Sequence, residues 1–257
     1  ATILSQFVSA VWVFRFLTGE KAVIRLPRTL ARPQLSIVKD ITGLGLSGFV
    51  MSITNGSVQI MCNAMLQRWG GDLYVGIMTV INSVREIITM PVNGLTSGAQ
   101  PVMSFNYGAG EYRRVKAAIR FTSVACIIFS LAAWALLFFF PHFFIHLFNS
   151  EPELLEKGVP AMRLYFFGIF MMALQFAGQS TFVALGRSKQ AVFFSLFRKV
   201  IIVIPLTIFL PAIGFGTDGV FLAEPVSNFI GGTASFVTML LTVWPRLKET
   251  PTAKAPE

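Results

Sequence analysis

The sequence predicts an all-α membrane protein with about seven transmembrane helices. Three observations carry this. Hydrophobic residues make up 54% of the 257-residue chain and charged residues 13%, where a water-soluble domain carries roughly 25% charged. The apolar residues are gathered into stretches near the length of about 20 that a helix needs to cross the hydrocarbon core. The loops between them alternate between basic and non-basic, as the positive-inside rule expects of consecutive spans. The 26 phenylalanines suit lipid-facing helices better than a compact soluble core. The net charge of +9 sits in the loops, so it reports topology and argues against nucleic acid as a partner.

Taken in order, the predicted spans cover residues 2–17, 43–66, 74–100, 119–140, 161–184, 194–214 and 219–243. The first is short. Residues 18–42 follow with Lys21, Arg25, Arg28, Arg32 and Lys39, and with Pro27 and Pro33, which make them too polar to span. They predict a cytoplasmic connector, with an interfacial helix from Gln34. The loop from Arg68 to Asp72 is nearly neutral, whereas the next holds Arg113, Arg114, Lys116 and Arg120. Residues 141–160 are acidic, with Glu151, Glu153 and Glu156. Arg187, Lys189, Arg198 and Lys199 mark the next basic side, Asp218 the next non-basic one, and Arg246, Lys248 and Lys254 the tail. The alternation puts the start of the chain outside and the tail, 245–257, in the cytoplasm. The tail reads as disordered. The chain begins at Ala1 inside an apolar run, the expectation for a piece of something longer.

Polar residues inside the spans sort onto faces at about 100° per residue. In 43–66 the polar face is Gly48, Ser52, Asn55, Gly56, Gln59 and Asn63. In 74–100 it runs through Thr79, Asn82, Glu86, Thr89, Asn93, Thr96, Ser97 and Gln100. In 161–184 it is Tyr165, Gly168, Met172, Gln175 and Gln179, and in 219–243 it is Glu224, Ser227, Asn228, Gly231, Ser235, Thr238 and Thr242. The spans 119–140 and 194–214 carry no such face and are expected at the periphery. Packing through small residues accounts for Gly48, Ser52, Gly56 and Gly231. The long face through Asn82, Glu86 and Asn93 is better satisfied by a hydrated cavity, since each buried unpaired polar group costs roughly 1–3 kcal/mol. Arg85, Glu86 and Glu224 are intramembrane charges, which are costly and usually functional. An Arg85–Glu224 ion pair and a carboxylate facing cationic cargo are both open for them.

Enzyme chemistry finds no support. His142 and His146 have the i, i+4 spacing of a metal pair but no third ligand in their helix, and they read as interfacial histidines. Cys62 and Cys126 lie inside apolar segments and make no disulfide framework. No metallopeptidase, nucleophile-elbow or phosphate-loop motif is present.

The 74–100 span ends in Gly98 to Gly110, GAQPVMSFNYGAG, followed by Glu111-Tyr112-Arg113-Arg114. This run resembles the end of the eighth helix of multidrug and toxic compound extrusion (MATE) transporters. ATILSQ at the start is similar to the family's sixth helix. Phe197-Arg198-Lys199 through Ile204-Pro205-Leu206 resembles its eleventh, and Gly219-Val-Phe-Leu-Ala-Glu-Pro-Val-Ser its twelfth. The resemblance implies a two-lobe, inward- and outward-facing transporter of organic cations, coupled to sodium or protons and without a cofactor. On it, residues 1–17 end a first lobe otherwise absent from this chain, 18–42 link the lobes and 43–244 form the six-helix second lobe. The partners implied are small organic cations, membrane lipid and the first lobe, in the plasma membrane. Family members place acidic residues on the seventh and tenth helices, whereas the matching spans here offer Asn55, Gln59, Asn63, Gln175 and Gln179 without a carboxylate. The expected cargo contacts are Asn55, Gln59, Asn82, Glu86, Asn93, Tyr165, Met172, Gln175, Gln179, Glu224 and Asn228. A lipid-linked oligosaccharide flippase is the alternative; it wants cavity cations for a pyrophosphate, and the polar faces supply Arg85 alone.

Overall fold

The computed structural model describes residues 2–19 and 35–247. The chain divides into two units, Ala1–Gly45 and Leu46–Glu257. Most of the predicted connector and of the tail, residues 20–34 and 248–257, lies outside the described residues, as do the surroundings of Gly48. The described secondary structure is helical throughout. The first unit holds α1, Thr2–Thr18, whose length of about 26 Å falls short of the roughly 30 Å hydrocarbon core. It also holds the first turns of a long helix that starts at Leu35.

The second unit is a helical bundle. Two of its apolar rods, Ser52–Gly108 and Ser188–Arg246, are 57 and 59 residues long, or roughly 85–90 Å if straight. Neither fits a bilayer in one piece, and glycines break both. Gly71 leaves the helix with φ 71° and ψ −165°, dividing the first rod into α2 (46–70) and α3 (72–108). Gly214 and Gly216, with φ 110° and 53°, divide the second into α8 (188–213) and α9 (217–242). Between them lie α4 (Tyr112–Phe139), the short α5 (Pro141–His146), α6 (Pro152–Phe166) and α7 (Ile169–Ala184). Helices α6 and α7 meet at a bend of 42° around Gly168, whose φ of 81° suits glycine. Together they are long and apolar enough for one bent span, beginning earlier than the predicted 161–184 because Pro152 starts α6 in its first turn.

The predicted end of the 74–100 span comes too early. Helix α3 runs on through Pro101 to Gly108, and the hydroxyl of Ser104 ties it to the end of α7 by donating to the Ala184 carbonyl at 2.7 Å. The helix stops where glycine permits it. Gly110 takes φ 76°, its N–H donates to Tyr107 at 3.2 Å, and the Glu111 N–H donates to Asn106 at 2.9 Å. This is a Schellman ending, which satisfies the last carbonyls of the helix. Gly186 ends α7 in the same way, with Arg187 N–H donating to Phe182 at 2.7 Å.

Two apolar layers hold the bundle. One joins Leu66, Ile77, Ile81, Leu137, Ile145, Met162 and Phe221. The other joins Met103, Val115, Ile119, Phe182, Phe194, Met239 and Leu247. The first layer neighbours the turns rich in Asp72, Glu151, Glu153, Glu156 and Asp218; the second neighbours Arg113, Arg114, Lys116, Arg187 and Arg246. The alternating loop charge thus corresponds to two ends of the bundle. Large apolar residues such as Phe121, Phe139, Ile201 and Leu241 face outward, as lipid contact requires. Small residues bring α9 against α7: Gly178 abuts Ser235, and Gly232 abuts the Met171 carbonyl. Packing is therefore the role of Gly231 and Gly232, whereas Gly56 has open space beside it and lines a cavity instead.

Candidate functional site

Helices α2 and α3 run back alongside each other from the break at Gly71, so their polar faces meet. Asn55, Gln59 and Cys62 of α2 line the same cavity as Met78, Asn82 and Glu86 of α3. Together with Tyr165, Met172 and Phe176 of α6 and α7, Arg198 and Lys199 of α8, and Glu224 of α9, they line a cavity of about 330 Å³. Asn55, Gln59 and Glu86 are exposed, Asn82 and Arg85 half-buried, and Tyr165, Met172, Arg198, Lys199 and Glu224 buried. The cavity thus has an open neutral and acidic side and a closed basic one.

Seven of the eleven expected contacts share this cavity: Asn55, Gln59, Asn82, Glu86, Tyr165, Met172 and Glu224. The other four do not line it. Asn93 is exposed two turns further along α3. Gln175 is buried with its Oε1 unpartnered among the described residues. Gln179 donates to the Ala191 carbonyl at 3.1 Å. Asn228 accepts a hydrogen bond from Arg198, which makes it a support for the cavity wall.

The basic wall departs from the sequence-based expectation. Loop charge is the reading that the sequence suggests for Arg198 and Lys199, with α8 at the periphery. Both side chains are instead buried, at 6% and 5% exposure, and both reach Glu224. Arg198 Nη1 donates to Glu224 Oε1 at 3.2 Å. Lys199 Nζ lies 3.2 Å from the same oxygen and 3.3 Å from Oε2. Glu224 therefore pairs with α8 and makes no ion pair with Arg85. A signal for this is present in the sequence: Arg198 and Lys199 fall within the predicted span 194–214, and a carboxylate lies in the next span.

Backbone geometry makes this arrangement possible. Successive residues of an α-helix point about 100° apart, which separates neighbouring side chains. Around Arg198 and Lys199 the helix widens into a π-turn, Phe197–Val203, in which the Ile204 N–H reaches back to Lys199. Pro205 has no N–H to offer Ile201, and widening the ladder by one residue accommodates it. A second π-turn, Asn228–Gly232, lies opposite on α9, where Gly231 leaves room for the Arg198 stem. Such turns often occur at functional sites.

Arg85 is the exception in this charged wall. It makes no hydrogen bond and no ion pair among the described residues, although its five N–H groups stay protonated at any physiological pH. The cavity holds three cationic side chains, Arg85, Arg198 and Lys199, against two carboxylates, Glu86 and Glu224.

Comparison with known proteins agrees with this architecture. The chain is 22% identical over 245 residues to the multidrug export protein MepA of Staphylococcus aureus, covering 93% of this chain and 52% of MepA. It is 25% identical over 174 residues to the probable multidrug resistance protein NorM of Thermotoga maritima, covering 68% of this chain and 37% of NorM. The chain thus spans about half the length of MepA, and less of NorM. Among solved structures, the MATE multidrug transporter DinF-BH aligns over 95% of this chain and 54% of its own, at 30% identity and a TM-score of 0.81. An outward-facing MATE transporter of the MOP superfamily aligns over 97% of this chain and 56% of its own, at 18% identity and a TM-score of 0.86. The MatE family model matches residues 48–209, from α2 to the last turns of α8 and so across most of the cavity wall. The chain is an integral membrane protein of the MatE family.

Proposed function

We propose that this chain supplies one lobe of a multidrug exporter that works by alternating access, with two six-helix lobes rocking about a shared cavity. Residues 43–244 are that second lobe, 1–17 the last helix of the first, and 18–42 the cytoplasmic link; the tail lies in the cytoplasm and the protein in the plasma membrane. The cargo is a small organic compound, mostly cationic, expelled in exchange for sodium or protons. The multidrug names of MepA and NorM support the transport reading. The observation that carries it is the polar cavity enclosed by helices α2, α3 and α6 to α9, with Glu86 exposed on its open side. Glu224 is occupied by its own cations, so Glu86 is the carboxylate left to attract a positive group. Tyr165 and Met172 add an aromatic face and an adaptable thioether.

The Glu86→Gln substitution tests this. A hydrogen bond to a charged group is worth about 1.5–3 kcal/mol, so the variant should weaken ethidium export by roughly tenfold or more. The measurement is ethidium efflux from proteoliposomes of the full-length protein under separate sodium and proton gradients. Efflux and ion coupling both unchanged from wild type would refute the role of Glu86. The flippase alternative gains Arg198 and Lys199 as cavity cations, but both are committed to Glu224 and leave Arg85 alone to hold a pyrophosphate.

A further inference from the structure

We propose that Arg85 is a binding position for an oxyanion, a carboxylate or a phosphate ester, inside the second-lobe cavity. This deepens the exporter reading and rests on it only for the cavity being the path of the cargo.

The argument is one of charge and hydrogen-bond accounting. A guanidinium within the membrane is expensive and is retained where it meets a partner or water. The acceptors of the Glu224 and Asn228 side chains are already engaged by the α8 cations. Both oxygens of Glu224 accept from Lys199, and Oε1 also accepts from Arg198. The Asn228 carbonyl oxygen accepts from Arg198. Glu86, the neighbour of Arg85 in sequence, makes no ion pair with it, because adjacent helix residues do not face each other. Arg85 therefore presents unused donors to a cavity of about 330 Å³, a volume that admits a small organic anion or a lipid headgroup. The surroundings reinforce this. The Nε of Arg198, a side chain 6% exposed, is buried and without a partner among the described residues. The carboxylate charge of Glu224 is already offset by two cations, so it does not repel an incoming anion strongly. Asn55 and Gln59 add neutral amide donors from α2, and Asn82 one from α3 itself. Guanidinium matches planar carboxylate and phosphate oxygens with two parallel N–H donors.

The test uses full-length protein in an uncharged maltoside detergent, with 2-naphthoate and its neutral analogue 2-naphthamide titrated calorimetrically. Wild type is expected to bind 2-naphthoate saturably and at least about tenfold more tightly than Arg85→Gln. Arg85→Lys should recover part of the loss, since it restores charge without the planar fork. Naphthamide should bind both Arg85 variants as it binds wild type, which also shows that the cavity has stayed folded. Dioctanoyl phosphatidate, titrated as a competitor, separates the sources: displacement of naphthoate at lower concentration than naphthoate itself needs assigns the position to lipid phosphate, and weaker displacement assigns it to soluble anions. Absence of saturable naphthoate binding to wild type, as follows if a carboxylate elsewhere in the protein pairs with Arg85, overturns the proposal. So does equal naphthoate affinity in wild type and Arg85→Gln. Ethidium efflux is read separately, so loss of the exporter reading and loss of the anion position are distinct results.

Discussion

Glu224→Gln should be among the most damaging single substitutions in the chain. It leaves Arg198 and Lys199, both buried, without the carboxylate that faces them at 3.2 Å. Breaking a buried ion pair from one side costs about 3–5 kcal/mol, and here two cations are stranded by one change. A large fall in the Tm of the purified full-length protein is expected. Combining Glu224→Gln with Lys199→Met should recover part of it, because one stranded charge is removed. A Tm equal to wild type for Glu224→Gln would mean that the three side chains are not packed together as described.

Gly232→Ala is the second large effect, and its origin is steric. A Cβ built at Gly232 falls 2.5 Å from the Met171 carbonyl oxygen and 3.3 Å from its carbon. Those atoms belong to the backbone of α7 and cannot rotate away, so α7 and α9 must separate. Overpacking of this kind costs typically about 1–3 kcal/mol. Gly98→Ala is the matched comparison: a Cβ there meets nothing within 4 Å, and alanine is the better helix former by roughly 1 kcal/mol. Gly98→Ala should hold or raise the Tm while Gly232→Ala lowers it. Equal falls in both would remove the close approach of the two backbones as the cause.

Much of the architecture is legible in the sequence because lipid imposes simple rules. Span length, the sign of each loop and the polar faces of α2 and α3 follow from hydropathy and helical spacing, and those two faces do line one cavity. What escapes a sequence reading depends on departures from the ideal helix. Arg198 and Lys199 read as two more basic-side charges although they fall inside the predicted span 194–214, and helical spacing alone does not show that both reach one carboxylate. The π-turn that carries both residues precedes Pro205, which has no N–H to offer Ile201, and Gly231 leaves room for the Arg198 stem. The end of α3 is placed too early for a related reason. The predicted span ends at Gln100, just before Pro101, although the helix accommodates that proline and ends at the positive-φ Gly110. Asn93 shares a helical face with Asn82 and Glu86, but it is exposed and does not line the cavity.

The division of charge between α8 and α9 bears on how the protein enters the membrane during synthesis. Helix α8 carries Arg198 and Lys199 within its apolar stretch, while the compensating Glu224 lies on α9. An arginine or lysine at the centre of a single inserting helix costs about 2.5–3.5 kcal/mol each, and α8 meets that cost alone if it leaves the translocon first. Partitioned together, the two helices present one net charge between these three side chains instead of two on one segment. Helices α8 and α9 are therefore expected to insert as a hairpin. In a glycosylation-site mapping assay, chains ending before α9 should leave α8 poorly inserted, and chains that include α9 should insert both; equal insertion of α8 in the two would show that it needs no partner.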